Sequence, residues 1–348
     1  MKFKVLIFGP SMESKGGITA MISLINSNLP KEIDCLHVDT FSDRSKIITM
    51  IMFVRSVFTL FWYLISNKVD IVHINSSSGG SFFRKAIIAN ICRLFKVDYI
   101  FHIHSGAFVK YYDTASLRWK NIISTVLSKA KCVISISEYY KKEFSLRFKD
   151  ANIILLGNSS TFKFNKKLDL SRKFELKTLA YCGRISKNKG FIDYCRLIRL
   201  LQSSGINVKG IVAGVANDAT IFEDSDYLQV ANVLQFRGWL NQNQLADLYE
   251  DTTCTIIPSY FEAFGLTALE SCIAATPIVA YKVHGIQDIV FDTYLADIGD
   301  VQGLSMYCQE LLTNFDSYCD YAYSLESVYE VKFSLEVYMK RLLEIYYA

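Results

Sequence analysis

The chain has 348 residues, of which 51% are hydrophobic and 21% are charged, and its formal net charge is +4. This length gives room for two domains with separate cores, and this composition excludes a disordered chain. The nine cysteines form no Cys-x-x-Cys pair, which indicates buried free thiols in a reducing compartment. The N-terminal MKFKVLIFGPS has a short apolar run without a small-residue cleavage site, so it predicts a first strand and no secretion signal.

Charge is distributed unevenly along the chain. Residues 1–160 carry 21 Lys and Arg against 11 Asp and Glu, whereas the remaining residues carry 17 against 23. A basic first half predicts a polyanionic surface as its partner, either nucleic acid or anionic lipid. The sequence has no recognisable nucleic-acid-binding module and no dense basic-aromatic interleaving, which excludes nucleic acid.

Short apolar runs alternate with helical stretches in the first half, which predicts a parallel sheet in an α/β arrangement. The runs are 3–8, 34–38, 70–75, 98–104, 132–137 and 152–156.

The apolar segment IITMIMFVRSVFTLFWYLISNK, 47–68, is long enough to span a bilayer. Arg55 lies near its middle, where an arginine is costly in lipid, so a spanning helix is the least favoured interpretation. Two others stay open: a buried helix, or a helix at a membrane surface with Trp62 and Tyr63 at headgroup level. We expect elements of both, namely a packed helix with one apolar face against lipid.

The polar stretch 157–175 lacks a strong period and predicts the connection between two domains. A second series of apolar runs follows it, at 177–183, 208–214, 233–238, 254–259, 276–281 and 293–297. The predicted fold is therefore α/β, with two doubly wound, Rossmann-like parallel-sheet domains that face each other across a cleft. The predicted divisions are a first domain (1–160), a linker (161–175), a second domain (176–330) and a closing helix (331–348).

Ligands of open parallel sheets bind at the carboxyl ends of the strands, so the loops after the runs are the candidate sites. Gly16 and Gly17 follow the first run and precede a helical stretch, which suits close approach of backbone N–H groups to an anion; an ordinary glycine turn has the same pattern. In the second half, Arg184 and Lys189 flank a glycine-bounded turn that leads into a helix. Two cations beside a helix N-terminus predict a diphosphate clamp.

The stretch PSYFEAFGLTALE, 258–270, places two acids eight positions apart across a Phe-Gly turn. A helix that begins near Gly265 would point its first N–H groups at the cleft, where they could hold phosphate oxygens. Glu262 precedes those donors and is placed to accept from sugar hydroxyls. Glu270, in the second turn of the helix, is placed to accept from a ribose diol. Acids beside cations and backbone donors suit a nucleotide sugar.

These two motifs carry a resemblance to a known family. PSYFEAFGLTALE resembles the E-x7-E motif of the family 4 retaining glycosyltransferases, which have the GT-B fold. YCGRISKNKG is similar to the G-R-x4-K-G phosphate loop of the same family, and the early Gly-Gly turn and HIHSG match in place and order. The resemblance covers nearly the whole chain.

The resemblance implies roles for individual residues. The donor diphosphate and the leaving nucleoside diphosphate would be held by Arg184 and Lys189, which replace a metal, so no metal ion and no cofactor are expected. The other donor-binding residues that it implies are Gly16, Gly17, Arg237, Gly238, Trp239, Glu262, Phe264, Gly265, Leu266, Thr267 and Glu270. His104 occupies the place of the family's histidine and would contact the donor sugar at the reaction centre, whereas His37, His73 and His102 are interpreted as core histidines.

The family retains the anomeric configuration, and the usual proposal is a same-face substitution in which the departing phosphate oxygen takes the acceptor's proton. Glu262 is the acid nearest the sugar, so a covalent route stays open at this stage. Asp224-Ser225-Asp226 has the pattern of a metal-binding acid pair, and a solvated turn is the favoured interpretation of it.

The leading hypothesis is a metal-independent glycosyltransferase that moves a sugar from a nucleotide-sugar donor to an acceptor hydroxyl. The basic first half and 47–68 suggest a lipid-linked saccharide as acceptor, in the assembly of bacterial surface polysaccharides such as O-antigen, capsule or exopolysaccharide. The expected place is the cytoplasm, peripheral to the inner face of the membrane and in contact with its anionic surface. Two alternatives remain: a catalytically silent sugar-nucleotide-binding subunit, or a sugar-nucleotide epimerase of the same fold.

Overall fold

The computed structural model describes residues 2–14, 16–66, 68–290 and 292–348. The chain divides into two compact units. The first unit comprises Met1–Ser160 together with Leu335–Ala348, and the second comprises Thr161–Ser334. The expected closing helix is thus part of the first unit.

A parallel sheet forms the centre of the first unit. Its strands are β1 (Phe3–Gly9), β2 (Ile33–Asp39), β3 (Ile71–Ser76), β4 (Asp98–Ile103), β5 (Cys132–Ser135) and β6 (Ile153–Leu155). Within the described residues these six strands lie in the order β2-β1-β3-β4-β5-β6. They confirm the six apolar runs of the first half, because a strand that is covered on both faces is apolar on both faces.

Helices cover both faces of this sheet. They are α1 (Gly17–Asn28), α2 (Lys46–Ile65), α3 (Gly80–Leu94), α4 (Phe108–Asp113), α5 (Leu117–Ser128), α6 (Glu138–Arg147) and, from the end of the chain, α15 (Leu335–Tyr347). One apolar core joins Leu6 and Phe8 of β1 to side chains of α2 and α3. The other joins Val5 and Ile7 of β1 to side chains of α1 and α15. Alternate residues of β1 therefore enter opposite cores.

Residues 47–65 of the apolar segment 47–68 lie in helix α2, one side of which packs on the unit while the other is exposed. Leu60 and Leu64 are buried. Phe58 and Trp62, on the opposite side, are 71% and 69% exposed. By length and composition this helix could cross a membrane. Only 17% of its most apolar 18-residue window is buried against the rest of the protein, so most of its apolar surface is not covered. A packed helix with one exposed apolar face is what the sequence predicts; contact with lipid stays a prediction.

The second unit is built on another parallel sheet. Its strands are β7 (Thr178–Cys182), β8 (Lys209–Ala213), β9 (Leu234–Gly238), β10 (Cys254–Ile257), β11 (Ile278–Tyr281) and β12 (Leu295–Ala296). In the part of the chain that the structure describes, the six strands lie in the order β12-β11-β10-β7-β8-β9. All six correspond to the apolar runs predicted for the second half.

Helices also surround the second sheet. They are α7 (Leu170–Leu176), α8 (Phe191–Ser203), α9 (Ser225–Leu228), α10 (Gln242–Glu250), α11 (Leu266–Ile273), α12 (His284–Gln287), α13 (Val301–Thr313) and α14 (Phe315–Val328). Short 3-10 helices span Lys187–Lys189, Ala219–Glu223, Ala231–Val233 and Asp292–Tyr294, and a π-helix spans Tyr329–Phe333. The nine cysteines of the chain are all free thiols, as expected.

The stretch expected to be a linker, 161–175, belongs to the second unit. Phe162 is buried in a core cluster with Tyr249, and Leu170 begins helix α7. Lys173 is 2% exposed and its ammonium donates to the Ala274 carbonyl at 2.8 Å. The sequence predicted a linker here because the stretch is polar. A lysine whose ammonium bonds a buried carbonyl group is itself buried, although its residue type suggests exposure.

Candidate functional site

The candidate site of the second unit lies where its strand order reverses. After β7 the chain continues to β8 and β9 on one side of the sheet, whereas β10, β11 and β12 lie on the other. The loops after β7 and β10 therefore diverge at the carboxyl edge of the sheet. In open parallel sheets this is where ligands bind. These loops contain the predicted clamp and PSYFEAFGLTALE, respectively.

The two loops are joined by close contacts. The Tyr260 N–H donates to the Asn188 carbonyl at 3.1 Å. The Thr267 hydroxyl donates to the Cys182 carbonyl at 3.2 Å. Gly190 has φ +68°, and a Cβ at this position would lie 1.8 Å from the Pro258 carbonyl oxygen. Glycine is required there both by the backbone conformation and by the approach of the second loop.

Lys189 and Glu262 form an ion pair across the two loops. The Lys189 ammonium donates to Glu262 Oε1, which also accepts from the Ser259 hydroxyl at 3.0 Å. The Glu262 side chain is 16% exposed and that of Lys189 35%. The structure thus brings together a cation predicted for the diphosphate and the acid predicted for the sugar. A carboxylate held in this way keeps the ammonium in place before a ligand arrives.

Helix α11 begins without a side-chain cap, and its first amides face the edge of the sheet. Its N-cap is Gly265, with φ +96°. Within the described residues, the N–H groups of Phe264, Gly265, Leu266 and Thr267 donate no backbone hydrogen bond. Free N–H groups at a helix N-terminus form an anion-binding site when basic side chains lie nearby, as Lys189 does here. The predicted helix start at Gly265 is confirmed.

Glu270 lies in the second turn of α11 and is only partly exposed. Burial raises the pKa of its carboxyl from near 4.5 to about 7, and a hydrogen bond from Tyr249 offsets part of this rise. A carboxylate that is costly to keep charged in the fold needs a functional reason. Acceptance of hydrogen bonds from a ligand diol supplies one.

We predict that Glu270→Gln stabilises the protein at alkaline pH. The folded state retains this proton between pH 4.5 and about 7, whereas the unfolded chain loses it, so the contribution of Glu270 to stability falls as the pH rises through this window. At pH 8 the variant should unfold a few degrees higher than the wild type, and at pH 5 the difference should shrink. Thermal unfolding at both pH values, with the exposed Glu223→Gln as control, checks this. An equal change at both would contradict the assignment.

Gly285 packs against the loop after β10 that carries Glu262, here called the acidic loop. The sequence alone did not indicate this role. A Cβ at Gly285 would lie 2.6 Å from both the Glu262 carbonyl oxygen and the Phe264 nitrogen. The loop that carries Glu262 therefore rests directly on the backbone of α12. His284, the residue before it, is exposed.

The loops after β8 and β9 extend the site along the sheet edge. The Gly214 N–H donates to the Gly238 carbonyl at 2.8 Å, and a Cβ at Gly214 would lie 1.8 Å from the Gly183 carbonyl oxygen. Trp239, just beyond β9, is 60% exposed. The candidate residues of the loop after β7 and those at the end of β9, Arg237, Gly238 and Trp239, thus belong to adjoining segments, and Gly214, which the sequence did not suggest, contacts both.

Two of the predicted cations are exposed. Within the described residues, no hydrogen bond or ion pair holds the Arg184 guanidinium, although the Tyr181 hydroxyl donates to the Arg184 carbonyl at 2.7 Å. Arg237 donates to the Gln235 amide oxygen at 3.1 Å. Both side chains are available to a ligand.

Asp193 is a second positioning residue that the sequence did not reveal. It is 3% exposed and accepts from the Tyr260 hydroxyl at 2.7 Å and from the Tyr281 hydroxyl at 2.9 Å. Because Tyr260 is two residues from Glu262, this carboxylate anchors the acidic loop on the first turn of α8. Asp226, of the predicted solvated turn, instead bonds Arg196 at 2.6 Å and Arg199 at 3.1 Å.

The remaining candidates lie in the first unit, at the carboxyl edge of its sheet. Gly16 is the N-cap of α1, which has no side-chain cap and no acid in its first turn. His104 follows β4, and its Nε2 bonds Asn75 Oδ1 at 2.8 Å. The Asn75 amide nitrogen donates to the Phe8 carbonyl at 3.5 Å, so the Asn75 oxygen accepts from His104 Nε2–H. Among the described residues no hydrogen bond reaches His104 Nδ1, which is therefore available to accept one from a ligand hydroxyl.

Three histidines form a row under this edge. His73 bonds the Tyr346 hydroxyl at 2.8 Å and His102 at 3.2 Å, and the His102 and His104 ring centroids are 3.9 Å apart. Burial, with a smaller electrostatic contribution from the neighbouring His73, lowers the pKa of His104 to about 3. His104 is therefore neutral at physiological pH. The prediction that His73 and His102 are core residues is confirmed, since both are fully buried.

The second unit matches a known protein family. Residues 162–324 match the family described as "Glycosyl transferases group 1". The match contains both loops of the candidate site, and the glycosyltransferase class predicted from the sequence agrees with it.

Similarity to individual proteins extends over more of the chain. The "Uncharacterized 41.2 kDa protein in cps region" of Klebsiella pneumoniae is 24% identical over 307 residues, which cover 80% of this chain and 81% of that protein. The "Capsular polysaccharide biosynthesis glycosyltransferase CapM" of Staphylococcus aureus is 25% identical over 62% of this chain. That alignment spans 60% of CapM, less than two thirds of its length.

Solved structures share the fold over almost the whole chain. Sucrose-phosphate synthase from Thermosynechococcus elongatus has a TM-score of 0.76 at 18% identity, over 99% of this chain and 98% of that one. HepE of Anabaena, solved in complex with UDP and glucose, has a TM-score of 0.72 at 14% identity, over 98% of each chain. The two six-stranded units of this chain therefore have the GT-B fold that the sequence predicts.

Proposed function

We propose that the protein is a retaining glycosyltransferase that moves a sugar from a nucleotide-sugar donor to a hydroxyl of a lipid-linked saccharide. The observation that carries this proposal is the Lys189–Glu262 ion pair, which lies beside the amides at the N-terminus of α11 that donate no backbone hydrogen bond. Both features lie at the edge of the second sheet where its strand order reverses. This arrangement offers positive charge to a diphosphate and a carboxylate to a polyol within one site.

The donor would occupy the carboxyl edge of the second sheet. Its diphosphate would contact Arg184, Lys189 and the amides from Phe264 to Thr267, and its ribose would bond Glu270. The base would lie near Arg237, Gly238 and Trp239, where an exposed indole offers a stacking surface. HepE, solved with UDP and glucose, is consistent with a donor of this kind.

The proposed reaction is a same-face substitution. The bond between the anomeric carbon and the phosphate oxygen breaks while the acceptor oxygen bonds to the same face of that carbon. The acceptor proton passes to the departing phosphate oxygen. Arg184 and Lys189 stabilise the charge that accumulates on the diphosphate, a role that metal ions have in other transferases. Glu262 binds the sugar hydroxyls and keeps Lys189 aligned.

The first unit is proposed to bind the acceptor. His104, neutral and with Nδ1 free, suits hydrogen bonding to sugar hydroxyls at the edge where Gly16 and Gly17 present the amides of α1. The exposed apolar face of α2 supports a peripheral position on the inner face of the cytoplasmic membrane. The names of two relatives, a protein of a cps region and a capsular polysaccharide glycosyltransferase, support an acceptor in surface-polysaccharide assembly.

Transfer of labelled sugar from nucleotide sugars to a bacterial lipid extract, in the presence of a metal chelator, tests the proposal. We expect a lipid-soluble product whose new linkage has the anomeric configuration of the donor, as read by NMR. An inverted linkage would overturn the retaining mechanism, and transfer that depends on a divalent metal would overturn the role of the two cations.

A further inference from the structure

A pocket of about 570 Å³ opens in the first unit between the N-terminal ends of α2 and α3. Its lining combines two cations, Lys46 and Arg84, with the apolar side chains of Met50, Phe53 and Phe83. One carboxylate, Asp43, is present among its described lining residues. The roles assigned to His104 and Gly16 do not use this pocket.

Arg84 has donors that the protein does not satisfy. Its Nε is buried and, within the described residues, has no hydrogen-bond partner. Its guanidinium lies 5.5 Å from the centre of the Phe41 ring, and no described carboxylate forms an ion pair with it. A buried, unsatisfied guanidinium donor is costly, and its planar fork fits the oxygens of a phosphate group.

The surrounding charge is positive. Lys46, the first residue of α2, is exposed and forms no ion pair with any described residue. Behind the pocket wall, Lys85 is 1% exposed, and its ammonium donates to the Thr40 hydroxyl without a described carboxylate as counter-ion. The lining itself contains two cations, Lys46 and Arg84, and one carboxylate, Asp43, so an anion that enters the pocket gains net attraction.

An apolar surface begins at the mouth of the pocket. Met50 and Phe83, which line the pocket, are 64% and 52% exposed. The exposed stripe of α2 continues from there at helical spacing through Ile47, Ile51, Val54, Phe58, Trp62 and Ile65. At 1.5 Å per residue this stripe is about 27 Å long. Soluble proteins rarely expose so large a continuous apolar surface without a partner.

The cationic pocket and the adjoining stripe together match a molecule with an anionic head and a long hydrocarbon chain. A soluble sugar phosphate would leave the stripe without a role, and a general anionic membrane would not need a pocket. We propose that this pocket binds the phosphate of the lipid-linked acceptor while the α2 stripe rests on the bilayer that holds its hydrocarbon chain. The inference rests on the proposed function, because it assigns the acceptor's lipid carrier to a site.

Vesicle flotation with a polyprenyl phosphate as probe tests this assignment. Three kinds of vesicle are compared: phosphatidylcholine alone, phosphatidylcholine with polyprenyl phosphate, and phosphatidylcholine with phosphatidylserine at equal charge. The wild type should prefer polyprenyl phosphate to phosphatidylserine. The double variant Lys46→Gln/Arg84→Gln should lose roughly thirtyfold in binding to polyprenyl phosphate vesicles, the effect of two cations near an anionic group.

The matched control is Arg55→Gln/Lys68→Gln, which removes the same charge from the same region outside the pocket lining. It should weaken binding to both anionic vesicles alike and keep the preference. Asp43→Asn should strengthen binding to polyprenyl phosphate vesicles. Persistence of the preference in Lys46→Gln/Arg84→Gln would overturn the pocket, and full competition by free pyrophosphate would overturn the lipid source.

Two parallel measurements separate this inference from the proposed function. Thermal unfolding of each variant shows whether the fold is retained, and a variant that unfolds early is replaced by the single change Arg84→Lys, which keeps the charge but not the fork. Nucleotide binding by the wild type tests the donor site alone. If the protein prefers polyprenyl phosphate vesicles but binds no nucleotide, the proposed function is wrong while the pocket still binds the lipid phosphate. If it binds a nucleotide but shows no such preference, only the assignment of the pocket is wrong.

Discussion

Lys189→Ala is expected to reduce turnover about 10²- to 10³-fold, because it removes one of the charges that stabilise the departing diphosphate. Its ammonium contacts Glu262 in the absence of donor, so the lysine is already aligned by the loop after β10. The loss should appear in kcat more than in KM, since the charge on the leaving group is larger in the transition state than in the bound donor. Steady-state kinetics of sugar transfer measure both.

The control for this variant lies two residues away. Lys187 is in the same 3-10 turn and is exposed, and no ion pair joins it to Glu262. Lys187→Ala removes the same charge and should keep turnover close to that of the wild type. If Lys189→Ala also retained nearly normal turnover, the clamp assignment would fail. Comparable losses in both variants would mean that only the general charge of the turn matters.

Gly285→Ala is expected to reduce kcat/KM about 100-fold without touching any side chain of the site. The added methyl would lie 2.6 Å from the Glu262 carbonyl oxygen and the Phe264 nitrogen, so the acidic loop must shift. Misplacement of catalytic groups by about 1 Å has effects of this size. The same overpacking should lower the free energy of unfolding by about 1–3 kcal/mol. Kinetics and chemical denaturation of the purified variant check the two effects.

Gly299→Ala separates loss of stability from loss of geometry. Gly299 has φ +88°, and a Cβ there would meet no atom within 4 Å, so an alanine strains the backbone without displacing a neighbour. We expect this variant to lose stability and to keep its activity at temperatures where it is folded. A loss of activity in Gly285→Ala no larger than in Gly299→Ala would contradict the supporting role of α12.

The strands could be predicted because helices cover both faces of each sheet, so each strand appears in the sequence as a short run of apolar residues. The loops that follow the strands could be located from the ends of these runs. Two runs of the second half end close to loops whose residues already suggest chemistry, namely Arg184 and Lys189 after β7 and Glu262 after β10. Since parallel strands end at one edge, short local stretches were sufficient to assemble these loops.

Contacts between distant loops could not be predicted in this way. Nothing in the stretch around Gly285 shows that its Cα rests against the backbone at Glu262, or that Gly214 rests against Gly183. The same holds for Asp193, which holds Tyr260 and Tyr281 although it lies far from both in sequence. Such residues act through close approach, which a single sequence does not record.

Helix α2 shows a different limit of sequence reasoning. Its composition is that of a core helix, a surface helix and a membrane span alike, because apolar residues occupy nearly all of its sides. The sheet and α3 cover just one side of α2, and for this reason Phe58 and Trp62, on the other side, remain exposed. The pocket at its N-terminal end, with Arg84 contributed by another helix, arises from the same packing.

The measurement that tests the central claim most directly is nucleotide binding to the purified protein. It is read from the change in the thermal unfolding midpoint when UDP, GDP, ADP or CMP is added in the presence of a metal chelator. We predict that one nucleotide raises the midpoint, that Arg184→Ala abolishes this rise, and that Lys187→Ala leaves it. No rise with any nucleotide, or a rise that persists in Arg184→Ala, would contradict a donor site at the loops after β7 and β10.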